Sequence, residues 1–125
     1  MAETSLKDPV VEQLRALLGK RLSTSAAVRE QHGHDESYHP THAPDAVAFA
    51  QSTEEVAEIV RICAAHKRPV IPFGTGTSLE GHVAALHGGI SIDVTQMNQV
   101  LEVNAEDLDC RVQAGVTRKQ LNTHL

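Results

Sequence analysis

The spacing of apolar positions changes along this chain, and each change marks an element. Val10, Leu14, Leu17 and Leu18 recur at helical spacing, which predicts a helix from Pro9 to Leu18. Asp8 suits its N-cap, Pro9 its first turn and Gly19 its end. Residues 20–44 lose the period. Ser, Thr, His and Pro dominate there, and the stretch reads as a polar surface connection with a helical turn around Ala26–Glu30. Asp45 to Ala50 then reads as a strand. Val56, Ile59, Val60 and Cys63 fall at i, i+3, i+4 and i+7, and Ser52 with Glu55 makes a capping box, so a longer helix is predicted from Thr53 to His66. The apolar run Pro69-Val70-Ile71 comes next as a buried strand, completing a β–α–β unit.

Beyond residue 89 the period becomes two. Ile90, Ile92 and Val94 alternate with Ser91, Asp93 and Thr95, as in a half-buried strand with Asp93 outward as a turn or sheet-edge acid. Val100 to Val103 makes another strand, Asn104 to Asp107 a turn, and Leu108, Cys110, Val112 and Ala114 point inward on a third. Gly115 breaks the alternation. Thr117 with Gln120 is a second capping box, opening a helix that runs only about two turns to Leu125, so the chain reads as cut inside an element. The expected fold is α+β, a β–α–β unit followed by short antiparallel strands. Residues 1–44 would be an N-terminal helix with its connecting segment, and 45–125 the main unit.

Composition narrows the partners. Eleven basic against sixteen acidic residues leave a net charge of −5, with no basic stripe and only three aromatic rings, Tyr38, Phe49 and Phe73. That argues against nucleic acid and against an anionic membrane surface. No apolar run reaches the ~20 residues that span a bilayer. Met1 to Pro9 lack the pattern of a secretory or mitochondrial leader, which favours a cytoplasmic protein, either free or peripheral at the inner membrane. Cys63 and Cys110 read as buried free thiols. Arg61, Lys67 and Arg68 read as a solvated helix end. His32, His34, His39 and His42, with Asp35 or Glu36, have a spacing that could suit Zn²⁺ or Ni²⁺, but no CxxC anchors them. A solvated connection is the plainer reading, and no metal is expected.

The chemistry concentrates in Pro72-Phe73-Gly74-Thr75-Gly76-Thr77-Ser78-Leu79-Glu80-Gly81-His82. Glycines at 74, 76 and 81 allow φ > 0 and leave no Cβ to block a ligand. Successive amides in such a turn can converge on an anion, and Thr75, Thr77 and Ser78 add hydroxyls. A phosphate cradle and an ordinary Gly-rich connection both fit the loop alone. It is not a P-loop, because His82 and Val83 stand where Lys and Ser/Thr belong. Nor is it a Rossmann fingerprint, because Leu79 replaces the third glycine and no helix opens directly after it.

The ordered set of segments resembles the N-terminal part of the vanillyl-alcohol-oxidase/PCMH-type FAD-binding family, in the branch of D-lactate dehydrogenase (cytochrome) and the glycolate oxidase D subunit. The likeness begins at Ala43-Pro44-Asp45-Ala46-Val47 and Ser52-Thr53-Glu54-Glu55-Val56 and is tightest at Pro72 to Gly81. It continues through Gly88-Gly89-Ile90-Ser91-Ile92-Asp93, Met97 to Glu102 and Gln113-Ala114-Gly115-Val116-Thr117. About the last two-thirds of the chain is covered.

The resemblance implies that Pro72, Gly74, Thr75, Gly76, Thr77, Ser78, Gly81 and His82 hold the FAD diphosphate. Some relatives attach flavin through a loop histidine; Thr77 occupies that position here, which implies non-covalent FAD. Glu80 would point away from the diphosphate. The implied parent activity is oxidation of a D-2-hydroxy acid by hydride transfer from C2 to flavin N5, with electrons leaving to a cytochrome, quinone or flavoprotein. The substrate arginine and proton-accepting histidines of such enzymes would lie outside these 125 residues, so no catalytic residue is assigned. A non-catalytic binding module, a truncated fragment, or another oxidoreductase or ether-lipid synthase of the same flavin family are the alternatives.

Overall fold

The computed structural model describes residues 8–77 and 83–125. Helix α1 (Pro9–Leu18) leads through a 3-10 turn (Gly19–Arg21) into the short strand β1 (Leu22–Ser23) and helix α2 (Ala26–Gln31). Strand β2 (Ala46–Phe49), helix α3 (Thr53–Ala65) and strand β3 (Val70–Phe73) come next, then β4 (Ile90–Asp93). The hairpin of β5 (Val100–Asn104) and β6 (Asp109–Val112) precedes helix α4 (Arg118–His124).

The helix starts derive from local chemistry. Asp8 caps α1 by accepting from the Val10 amide, and Gly19 ends it at φ +61°. Ser52 caps α3 by accepting from the Glu55 amide. Glu55 does not complete the box on the Ser52 amide. It accepts instead from the Gln51 amide at 2.8 Å and pairs with both terminal nitrogens of Arg21, tying α3 to the turn before β1.

Strand order is β1-β2-β4-β3. β1 runs antiparallel to β2, while β2, β4 and β3 are mutually parallel. The β–α–β unit is therefore real, but β4 inserts between its two strands. A central parallel strand is covered on both faces. All four residues of β4 are buried, so the half-buried expectation fails, and Asp93, only 4% exposed, is an interior acid rather than a sheet-edge one.

The two faces of the sheet carry different chemistry. Ala46, Ala48, Ile90 and Ile92 face α1 and α3 in one apolar cluster with Val10, Val11, Leu14, Leu18, Ile59, Ile62 and Cys63. Here Val11 and Ile62 take the places expected for Leu17 and Val60, which are exposed, because the helices tilt their contact stripes by about one position. The other face carries two cross-strand rows, Val47–Ser91–Ile71 and Phe49–Asp93–Phe73. The stretch from His32 to Pro44 is partly built into the fold rather than solvated. His32, Gly33, Asp35 and Pro44 are buried, and the His42 carbonyl accepts from the Ala85 amide.

Arg68 is not a free helix-end cation. It bridges Asp8 at 2.9 Å and Asp45 at 3.2 Å, joining the start of α1 to the start of β2. The hairpin departs furthest from expectation. β6 is exposed throughout, Cys110 is exposed, and Leu108 is 91% exposed at φ +58° in the turn. Its two strands pair only with each other, so the alternating apolar side chains have no second layer among the described residues. Cys63 matches its expected core place, and burial, partly offset by Arg68, raises its thiol pKa.

Candidate functional site

β3 and β4 end side by side, with Phe73 in register with Asp93. The residues just past these two strand ends form one wall of an open cleft. Gly74 and Thr75 continue β3, and Thr95 lies in the turn after β4. The opposite wall is Ala114, Gly115, Val116, Thr117 and Arg118, and the cleft encloses about 310 Å³. Gly115 makes this closure possible. A Cβ there would lie 2.0 Å from the Val94 carbonyl oxygen, while the Gly115 amide donates to the Met97 carbonyl at 2.8 Å. Only a glycine lets the end of the hairpin sit directly on the turn after β4.

The two described glycines of the loop do different jobs. Gly76 adopts φ +74°, and a Cβ on it would stand 2.7 Å from the Phe73 ring, so its conformation and its seat on Phe73 both require glycine. Gly74 has no positive φ, and among the described residues no atom lies within 4 Å of where its Cβ would project. Among the described residues nothing therefore constrains position 74 to glycine, and a side chain there would meet none of them at its Cβ. Freedom for φ > 0, expected at both glycines, is used at 76 and not at 74.

Thr75 and Thr77 share a hydroxyl–hydroxyl hydrogen bond at 2.9 Å. Among the described residues, the backbone amides of 74–77 donate to no protein acceptor. Pro72 lies exposed in edge strand β3 and is not among the residues that line the cleft. Ser78, Gly81 and His82, like Glu80, lie outside the described residues. An anionic group entering this cleft would meet glycine, hydroxyls, amides with no acceptor among the described residues and the cationic residue Arg118, a donor set that fits a diphosphate. Thr95 and Arg118 carry no signal of their own in the sequence as site residues. Gly115 and Thr117 do, in the Gln113–Thr117 segment that bears the family resemblance.

Beneath the loop lies a polar arrangement that the sequence does not disclose. His32 Nε2 donates to Asp93 Oδ2 at 2.6 Å, and its Nδ1 donates to the Val28 carbonyl at 2.9 Å. The Val28 carbonyl can only accept, so Nδ1 carries a proton, and with Asp93 ionised Nε2 carries the second, making the pair imidazolium and carboxylate. Burial pulls the His32 pKa down, but the Asp93 hydrogen bond, the Val28 carbonyl and the Asp93 charge outweigh it and leave it above 6.5. Burial likewise pushes Asp93 up, yet its bonds to His32 and Thr95 hold it below 3.8. Asp93 Oδ1 accepts from the Thr95 amide and hydroxyl, at 2.8 and 2.5 Å. His32 also meets Phe73 at 4.3 Å between ring centroids and Phe49 at 5.6 Å, edge-on. His32 is thus committed to the interior, and among the described residues no three His, Cys, Asp or Glu side chains are grouped to hold a metal ion.

Comparison with known proteins agrees with this construction. The FAD binding domain family matches residues 44–125. A probable mitochondrial D-lactate dehydrogenase of Danio rerio is 47% identical over 125 residues, covering 99% of this chain and 25% of the relative. The mitochondrial D-lactate dehydrogenase [cytochrome] of Arabidopsis thaliana is 37% identical over 118 residues, covering 93% of this chain and 21% of the relative. The crystal structure of p-cresol methylhydroxylase with substrate bound superposes with a TM-score of 0.83 at 26% identity, over 98% of this chain and 24% of that one. The chain spans about a quarter of the length of the curated relatives it matches. Its cofactor is FAD, and the chain belongs to the FAD binding domain family of the vanillyl-alcohol-oxidase/PCMH type.

Proposed function

We propose that this chain supplies the diphosphate-binding half of the flavin site in an enzyme that oxidises D-2-hydroxy acids of the lactate or glycolate kind. The observation that carries the reading is that, among the described residues, the amides of 74–77 donate to no protein acceptor, while Gly74 and Thr75 line a cleft with Arg118 at the carboxyl ends of two parallel strands. Ligands favour that end of a parallel sheet. The 74–77 amides, with the hydroxyls of Thr75 and Thr117, would bind the diphosphate, and Arg118 would offset its charge, while the Thr95 hydroxyl stays committed to Asp93. Ser78, Gly81 and His82 belong to the same loop and extend this assignment by sequence. Attachment is non-covalent, because Thr77 offers no ring nitrogen where some relatives have a histidine. The bound flavin supplies the hydride acceptor at N5 for C2 of the substrate. Electrons then pass to a cytochrome-type acceptor, as the name of the Arabidopsis relative suggests. Within this reading residues 45–125 form the flavin subdomain, and the N-terminal segment 1–44 contributes Val10, Val11, Leu14, Leu18 and Leu22 to its core.

The test is spectroscopic. The intact gene product should purify with a visible flavin band, released from the protein by acid precipitation. Anaerobic D-lactate or glycolate should bleach that band while L-lactate does not. Absence of flavin after reconstitution, or equal bleaching by both lactate enantiomers, counts against the proposal.

A further inference from the structure

The Phe73 ring has two neighbours that matter to the loop. On one side the Gly76 backbone sits so close that a Cβ would touch the ring at 2.7 Å. On the other, His32 packs at 4.3 Å and is itself fixed by Asp93 and the Val28 carbonyl. The contacts form one line, from Asp93 through His32 and Phe73 to Gly76. Asp93 also accepts from Thr95, which lines the cleft from the β4 side. One buried carboxylate therefore touches both sides of the strand ends from which the site is built.

We propose that His32 and Asp93 are positioning residues for flavin. Together they hold the Phe73 ring on which Gly76 rests and the Thr95 turn beside it, so that the 74–77 amides are preorganised for the diphosphate. The proposal rests on the reading of the loop as the diphosphate site. Neither residue lines the cleft, so their effect on flavin is transmitted. His32 meets the Val28 carbonyl from α2, the Phe49 and Phe73 rings from β2 and β3, and the Asp93 carboxylate from β4. Of these only Asp93 titrates. Asp35, three residues along the chain and also buried, accepts from the Ser37 amide.

The lock is ionic and hydrogen-bonded, which separates it from simple packing. Asp93→Asn keeps the shape and removes the charge. His32→Phe keeps a ring between Phe49 and Phe73 and removes both hydrogen bonds. Ile59→Val, on the opposite face of the sheet, serves as a stability control.

The experiment uses the intact gene product, stripped of flavin and titrated back with FAD, with hydrogen exchange of the 74–77 amides followed in the stripped protein. Each lock variant should weaken FAD binding by about tenfold or more, the order expected when a charge-assisted hydrogen bond is lost. Exchange at 74–77 should quicken in both, while Ile59→Val lowers the melting temperature and moves neither. FAD binding within about twofold of wild type in a folded lock variant overturns the proposal. So does an equal loss in Ile59→Val.

Should both variants fail to fold, ¹⁵N spectroscopy of the wild type decides. The His32 ring should be protonated on both nitrogens at pH 6 and remain so beyond the ordinary histidine range, and a neutral ring at pH 6 removes the lock. Gly74→Val distinguishes the two readings. If it retains full FAD affinity, the loop assignment itself fails. If it loses FAD while the lock variants keep it, only the positioning role fails.

Discussion

The two faces of the central sheet are built from the same three parallel strands but differ in kind. Toward α1 and α3, Ala46, Ala48, Ile90 and Ile92 join one apolar cluster with the helix side chains. On the reverse face the same β4 presents Ser91 and Asp93, and the buried hydroxyl of Ser91 has no hydrogen-bond partner among the described residues. The first face is where stability is made. The second carries groups that are costly to bury, and it lies directly under the Gly-rich loop. Polar groups persist in the interior on the side that serves the ligand.

Mutations should separate the faces, with the largest effect on the apolar side. Leu14→Ala or Ile59→Ala should cost about 2–5 kcal/mol in urea denaturation, since each side chain is fully buried. Flavin affinity per folded molecule should stay unchanged.

Next comes the ion pair. Asp93→Asn should cost about 1.5–3 kcal/mol near pH 5–6, the scale of a hydrogen bond between charged groups. The pH dependence has a definite sign. His32 has a raised folded pKa, so its contribution is complete below the unfolded value of about 6.5 and disappears as pH rises through the folded value. Asp93 has a lowered one, so its contribution is present above about 3.9 and disappears as pH falls through the folded value. The stability gap between wild type and Asp93→Asn should therefore be widest between about pH 4 and 6.5 and narrow on either side. A gap that widens steadily toward pH 9 contradicts the pair.

Gly76→Ala should cost about 1–2 kcal/mol for the positive φ alone, with a further penalty from the Phe73 ring. Melting curves read it directly. The smallest effect belongs to Ser91→Ala, expected within about 1 kcal/mol of wild type and toward greater stability, because it deletes a buried hydroxyl that makes no bond among the described residues. A loss well beyond that would mean that the hydroxyl is used.

Local chemistry was legible in the sequence and long-range topology was not. The caps at Asp8, Ser52 and Thr117 depend on residues within three positions of one another, and all three formed. The Gly-rich loop stood out because glycine and threonine cluster there without periodicity. That β4 would enter between β2 and β3 depends on pairing with partners 44 residues away in β2 and 20 away in β3, so Asp93 looked like an edge acid. His32 looked like a candidate metal ligand or loop residue because its partner lies 61 positions away. The hairpin failed for the opposite reason. Its period-two pattern is correct for a strand, but alternation does not say whether a second layer covers the apolar side.

The central claim is that the space beside Gly74, which no described residue fills, is ligand space, and Gly74→Val tests it. No described atom stands within 4 Å of the new Cβ, so the melting temperature of the flavin-free protein should not move. FAD affinity in the intact gene product should fall by about tenfold or more, because the added side chain would meet the diphosphate. Unchanged melting with unchanged FAD affinity would contradict the account.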